Sequence, residues 1–257
     1  MSDLRKRISA KPLRVSAGGL KYFSAVLMLL VNANTVILEK GILGLDAITT
    51  EELIAAMEAS SRLTALVGMA SIIRLLSGVI VPIFTFLLVE GFVHTGSYGN
   101  YLKAVAVTAL ISEPVYDYAI HGSLLEFSQQ NPVFALVISL AMLAIIRMIG
   151  DKSAGARWIK YFLVVLCAAF WVVLLRVEFG LEIILLAAIF YCFRERTAVK
   201  TILGVLVSVM DPLGPFAFCA LVYYNGKRTL KIHKYVFYAL YPLHMLVLGI
   251  VSRMILR

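Results

Sequence analysis

Glu90 and His94 stand four residues apart in the run LLVEGFVHT. On a helix that spacing stacks both side chains on one face. A carboxylate beside an imidazole can hold the ring and fix its tautomer, which is how a general base is set up. The competing reading is that both sit at headgroup level near a helix end and only snorkel. Glu113, Asp117 and His121 repeat the spacing in SEPVYDYAIHG. Glu113 lies deeper in its apolar run, which marks it as a functional candidate. His121 reads as a solvated helix end. Gln129, Gln130 and Asn131 read as a loop and cap before the next apolar run. His244, in YPLH, is a lone histidine in an apolar helix, where hydrogen-bonded packing is the ordinary role. Arg74 is a cation in an apolar stretch that could pair with Glu90 or bind an anion. Asp211, in DPLGP, is either a site or a cap. The four histidines are scattered without ligand spacing, so no metal site is expected. No phosphate-binding glycine motif is present either.

The elements that must carry these residues are membrane helices. The chain is 61% apolar and 15% charged, with a mean hydropathy of +0.91. Soluble domains are ~45–50% apolar and ~25% charged. The apolar residues come in blocks near the ~20 residues that cross a bilayer. The expected fold is an all-α polytopic bundle of eight or nine helices. Spans are expected at about 20–38, 78–94, 102–120, 132–149, 161–176, 180–193 and 235–252. Thr49 and Thr50 before Glu51 and Glu52 predict a helix start, and that helix should run on through 53–76.

Charge gives the topology. The loops at 150–160, 194–200 and 225–234 are basic and belong with the N-terminus on the cytoplasmic side. The loops at 121–131 and 176–180 are not basic and belong opposite. This alternation closes only if 201–223, broken at Pro212 and Pro215, returns to its starting side. A re-entrant hairpin is therefore predicted, shielded from lipid or lining a cavity. By the same parity, 51–94 crosses once in net. Residues 1–18 form a basic cytoplasmic tail, and 19–257 form one transmembrane domain.

The net charge of +9 is spread in short clusters between apolar blocks. It fits anionic headgroups of the lipid bilayer rather than nucleic acid, which needs one gathered basic face. Cys167, Cys192 and Cys219 lie in or beside apolar blocks and show no pairing pattern.

Five separated runs appear together in one order: PIFTFLLVEGFVHT, YLKAVAVTALISEPVYD, FSQQNPVFAL, YYNGKR and FYALYPLHML. In these the chain resembles the TraX family of bacterial polytopic membrane proteins, over about residues 20 to 250. That family takes its name from the conjugation protein that N-acetylates F-type pilin. The resemblance implies acyl transfer in the bacterial inner membrane. The donor would be acetyl-CoA or another acyl-CoA, and the acceptor an amine or hydroxyl of a peptide, pilin or envelope polymer. Where the family's first-span Asp-His pair is missing, His94 oriented by Glu90 would be the substitute catalytic unit. Glu113, Asp117, Asn131, Arg74 and His244 would line the pocket, and Lys227 and Arg228 would meet the donor's phosphates.

Two departures stand out. Family members typically carry Asp-His in the first span, where this chain has Asn32 and Ala33. They also tend to have an arginine where this chain has Gly78. The loss of Asp-His motivates a second reading, a degenerate relative serving as partner or chaperone of a peptide, pilin or export system. The broken helix motivates a third, a small transporter.

Overall fold

The computed structural model describes residues 14–149, 153–227 and 234–255. Arg228, and the tail before residue 14, lie outside the described residues. Among the described residues the protein is all helical. It has no strand, only two isolated bridges between extended residues.

Helix α1 (Ala17–Ala33) starts where the Ser16 hydroxyl accepts from Gly19 N–H at 3.1 Å. It continues without a break into a π-helical segment, Asn34–Ile42. The wider π winding brings residues five apart face to face. Asn34 Nδ2 accordingly donates to Glu39 Oε1 at 2.9 Å. Helix α2 (Thr50–Ala59) opens with the expected threonine, and Thr49 and Glu52 cap each other reciprocally. The single helix expected over 53–76 is two. At Ser60 the backbone turns extended (φ −143°, ψ 105°), and its hydroxyl caps α3 (Ser61–Leu75).

Helix α4 (Ser77–His94) is the hub. Its Ile83, Phe86, Leu87, Val89 and Phe92 are buried. They pack with residues of α6 (Val133–Met148) and α8 (Gly180–Cys192) in one apolar core. Phe86 meets Phe190 edge-on at 5.5 Å. Helices α5 (Tyr98–Ile120) and α7 (Ala154–Leu174) flank this core. Two apolar helices are shorter than the sequence predicts, at 16 residues for α6 and 13 for α8.

Among the described residues four helical stretches are long and apolar enough to cross a membrane: Ala17–Ile42, Ser61–His94, Ala154–Leu174 and Tyr235–Ile255. The α7 surface shows why. Ile159, Phe162, Leu163, Leu166 and Phe170 are all exposed on its outer face. In water such a stripe would be a liability, whereas against lipid tails it costs nothing.

The predicted hairpin is present. Helix α9 (Thr197–Ser208) leads to a tip at 209–213, a 3-10 turn at Gly214–Phe216, and the short α10 (Ala217–Leu221). Twelve residues of helix rise only about 18 Å, yet Met210 and Asp211 at the tip reach Arg176 and Glu182 around the start of α8. The chain then turns back. Val15 and Tyr224 form a bridge, with Val15 N–H donating to Tyr223 at 2.9 Å. The start of the chain and the end of the hairpin therefore share one end of the bundle, called proximal below. At the other, distal end Gln130 bridges Val177 across two loops. The five-residue loop before α8 holds two left-handed non-glycine residues, Arg176 (φ 53°) and Phe179 (φ 54°). The last helix, α11 (Lys234–Ile255), packs along α5.

The hairpin tip rests on the first turn of α4. A Cβ at Gly78 would fall 2.8 Å from Asp211 Cβ and 2.9 Å from Gly214 N. No side chain fits at 78 with the tip in this position. Gly78, where the resemblance leads to the expectation of an arginine, is thus the residue on which the tip sits. The count of eight or nine helices is replaced by a finer segmentation, because breaks at 43–49, Ser60 and 209–213 divide what apolarity alone runs together.

Candidate functional site

Polar side chains gather in two places, one at each end of the bundle. At the proximal end, the last turn of α4 presents Glu90 and His94. His94 Nδ1 lies 2.8 Å from the Glu90 carbonyl oxygen. A carbonyl only accepts, so Nδ1 carries the proton and Nε2 keeps its lone pair. The Glu90 carboxylate is 3.8 Å from the same Nδ1, where it can stabilise an imidazolium. That carboxylate is held by others. Tyr224 Oη donates to it at 3.1 Å, and Arg194 Nε lies 3.8 Å away. The ring is half open to solvent.

Beside this pair opens a cavity of about 510 Å³. Arg147, Arg157, Arg194 and Arg196 line it together with Trp158 and Tyr161. The aromatics are fixed. Trp158 stacks on Phe193 at 5.6 Å, and the Arg147 guanidinium lies 4.4 Å over the Tyr98 ring. Four guanidiniums stand against two carboxylates, Glu195 in the lining and Glu90 beside Arg194, which leaves a net positive site suited to negative charge. Glu90 and His94 do not line this cavity themselves; their neighbours do, Val93 in sequence and Arg194 through its 3.8 Å approach to Glu90.

At the distal end the network is tighter and buried. Asn131 is fully buried and ties α5 to α6. Its amide nitrogen makes a short contact with Glu113 Oε2 and also donates to the Ala109 carbonyl. Its backbone N–H donates to the same Glu113 oxygen at 3.1 Å. Asn131 is therefore more than the loop cap read from the sequence. Asp117 accepts from Glu126 N–H at 2.8 Å and pins the 121–131 loop. Tyr116 Oη donates to Glu178 Oε2 at 3.1 Å. Glu178 lies in the loop between α7 and α8, beyond the ends of both. Burial pushes its carboxyl up to about 7, against the pull of the Tyr116 hydroxyl and of Arg74.

The Arg74–Glu90 pair entertained from the sequence does not form. Arg74 Nη1 meets Glu39 Oε2 at 3.5 Å, while Glu90 has Arg194. The two lie in different helices of the Ser61–His94 stretch, sixteen residues apart. His244 is held inside the bundle. Its Nδ1 donates to the Leu240 carbonyl at 2.8 Å, and its Nε2 accepts from Asn32 Nδ2 at 2.8 Å. Lys227 is exposed at the proximal end and does not line the arginine cavity.

The structure therefore brings Glu90 and His94 together, and separately Glu113 and Asn131, and places these groups at opposite ends. Sequence reasoning passed over Arg147, Arg157, Arg194, Arg196, Tyr224, Glu178 and Glu182. Arg157, Arg194 and Arg196 were visible only as parts of basic loops, and Arg147 only as the end of the apolar run at 132–149. Glu182, in GLEIILL, carried a usable signal as a charge at the head of an apolar run. No group of three or more potential metal ligands is found among the described residues.

Among known sequence families, the one described as TraX protein matches residues 16–252. No curated protein and no solved structure matches the chain.

Proposed function

The chain belongs to the TraX family, and on that premise we propose that it is a membrane acyltransferase working at the proximal end, with that end cytoplasmic in a bacterial inner membrane. The donor is acetyl-CoA or another acyl-CoA. The observation that carries this reading is the arginine cavity opening beside His94. Its guanidiniums suit the phosphates of such a donor, and Trp158 and Tyr161 suit its adenine. His94 Nε2 takes the proton from an acceptor amine or hydroxyl. The acceptor atom attacks the thioester carbonyl, the C–S bond breaks, and the departing thiolate takes the proton back from the imidazolium. Glu90, steadied by Tyr224 and Arg194, balances the charge on the ring. The acceptor is a peptide, pilin or envelope polymer.

The test uses purified protein in proteoliposomes with labelled acetyl-CoA and mass spectrometry of acceptor peptides and lipids. His94→Ala is expected to slow transfer by about 10²–10⁴-fold. Transfer at the wild-type rate in that variant would reject the role of His94.

A second reading has its own observation. Both nitrogens of His244 are engaged, one of them by Asn32. The first span therefore offers no proton-exchanging pair. On this reading the chain is a noncatalytic partner of a peptide, pilin or export system. A stable protein partner together with no acyl-CoA turnover would favour it.

A further inference from the structure

A second cavity, of about 280 Å³, opens at the distal end between α7, α8 and the hairpin tip. Glu182 and Asp211 line it, and so does Arg176. Glu182 is 1% exposed, and neither of its carboxylate oxygens has a hydrogen-bond partner. Asp211 and Ser208 adjoin it. The Ser208 hydroxyl is likewise buried and unsatisfied. A buried carboxylate without donors is costly. Glu182 lines a cavity large enough for a small headgroup with its oxygens covered, and Asp211 beside it lines the same space, so a ligand can bring donors to this pair of carboxylates.

The rim says what kind of ligand. Arg176 is exposed and lines the same cavity, and no carboxylate pairs with it among the described residues. Next to these charges Val173, Leu181 and Met210 are exposed. They continue the apolar surface of α7, which meets lipid. The site thus offers acceptors for a cation, a guanidinium for an anion, and an apolar path for chains. A primary ammonium brings three N–H donors to the orphaned oxygens. A quaternary ammonium brings none, and Phe179 alone is no aromatic cage.

We propose that this distal cavity binds an aminophospholipid, with its ammonium on Glu182 and Asp211, its phosphate on Arg176, and its acyl chains along Val173, Leu181 and Met210. The site stands at the opposite end of the bundle from His94 and does not depend on the acyl-transfer reading.

The experiment is native mass spectrometry of the full-length protein in detergent, offered equal amounts of phosphatidylethanolamine, phosphatidylcholine and phosphatidylglycerol. The wild type should retain the ethanolamine lipid over the choline lipid by about tenfold, the worth of one charge-assisted contact. Glu182→Gln keeps the side chain's size and should bring that ratio to near one. Arg176→Ala sits at an exposed position and reads out the site even where Glu182→Gln folds poorly. It should cut retention of the ethanolamine lipid severalfold. Equal retention of ethanolamine and choline lipids by the wild type overturns the proposal. So does a preference that both variants leave intact. A short peptide amine retained by the wild type while none of the three lipids is, and lost in Glu182→Gln, would show the ammonium site and reject the lipid as its occupant.

Discussion

Gly78→Ala tests the contact on which the re-entrant hairpin depends. The added Cβ would lie 2.8 Å from Asp211 Cβ, 2.9 Å from Gly214 N and 3.4 Å from the Leu213 carbonyl carbon. Carbon atoms pack best at about 3.5–4.0 Å, so the first contact is too close by close to 1 Å. Two of the three atoms are backbone, and no flexible chain end can swing away. Either the tip or α4 must shift. Overpacking of this kind costs about 1–3 kcal/mol, and the better helix propensity of alanine returns at most about 1. Gly68 in α3 is the control, because a Cβ there meets nothing within 4 Å. Gly68→Ala should stabilise by about 0.5–1 kcal/mol. Unfolding of both variants in mixed micelles, titrated with a denaturing detergent and followed by far-UV circular dichroism, should separate them by about 1–3 kcal/mol, the overpacking cost, because the propensity gain is common to both. If Gly78→Ala matches Gly68→Ala, the tip does not rest on α4 and the hairpin is misplaced.

The remaining expectations concern the two polar ends. Glu178 binds its proton more tightly when folded, so the folded state holds more protons than the unfolded chain between pH 4.5 and about 7. Stability should fall as pH rises through that window, by about 3 kcal/mol at most. Glu178→Gln should remove this part of the slope, and an unchanged pH profile would refute the assignment. Asn131→Ala removes the donor to Glu113 and Ala109 and should cost about 1–3 kcal/mol. Asn131→Asp should cost more at pH 8, because it sets a second carboxylate against Glu113; equal melting of the two variants would argue that Glu113 is uncharged there. Arg194→Ala should raise KM for acyl-CoA about tenfold with a smaller change in kcat. A pure kcat defect would mean that Arg194 acts through Glu90 rather than on the donor.

The hairpin and the shared ends show how sequence and structure divide the work. Charge in the loops and apolarity in the runs are sums over neighbouring residues, and a bilayer reads them directly. The starts of α2 and α4, the return of 201–223 and the pairing of the two non-basic loops at one end all followed from those sums. The break at Ser60 did not, although the polar step Glu58, Ser60, Ser61 and Arg62 was a usable sign of a helix end and a new cap. The expectation that one pocket would gather Glu90, His94 and Glu113 placed residues by type, whereas position along α4 and α5 puts them at opposite ends. Membership in the TraX family came from motifs that are themselves local.

The sequence by itself determined that this is a helical membrane protein with a broken segment that turns back, and it marked His94, Glu90 and Glu113 as polar groups set in apolar runs. Only the tertiary structure decided their company: Arg194 and Tyr224 for Glu90, Asn131 for Glu113, Asn32 for His244, and Asp211 and Ser208 for Glu182. Helix rotation and depth select these partners from residues as far as 212 positions away in the chain. Hydropathy is indifferent to which side chains face each other, and the packing of one helix against the next is what settles it.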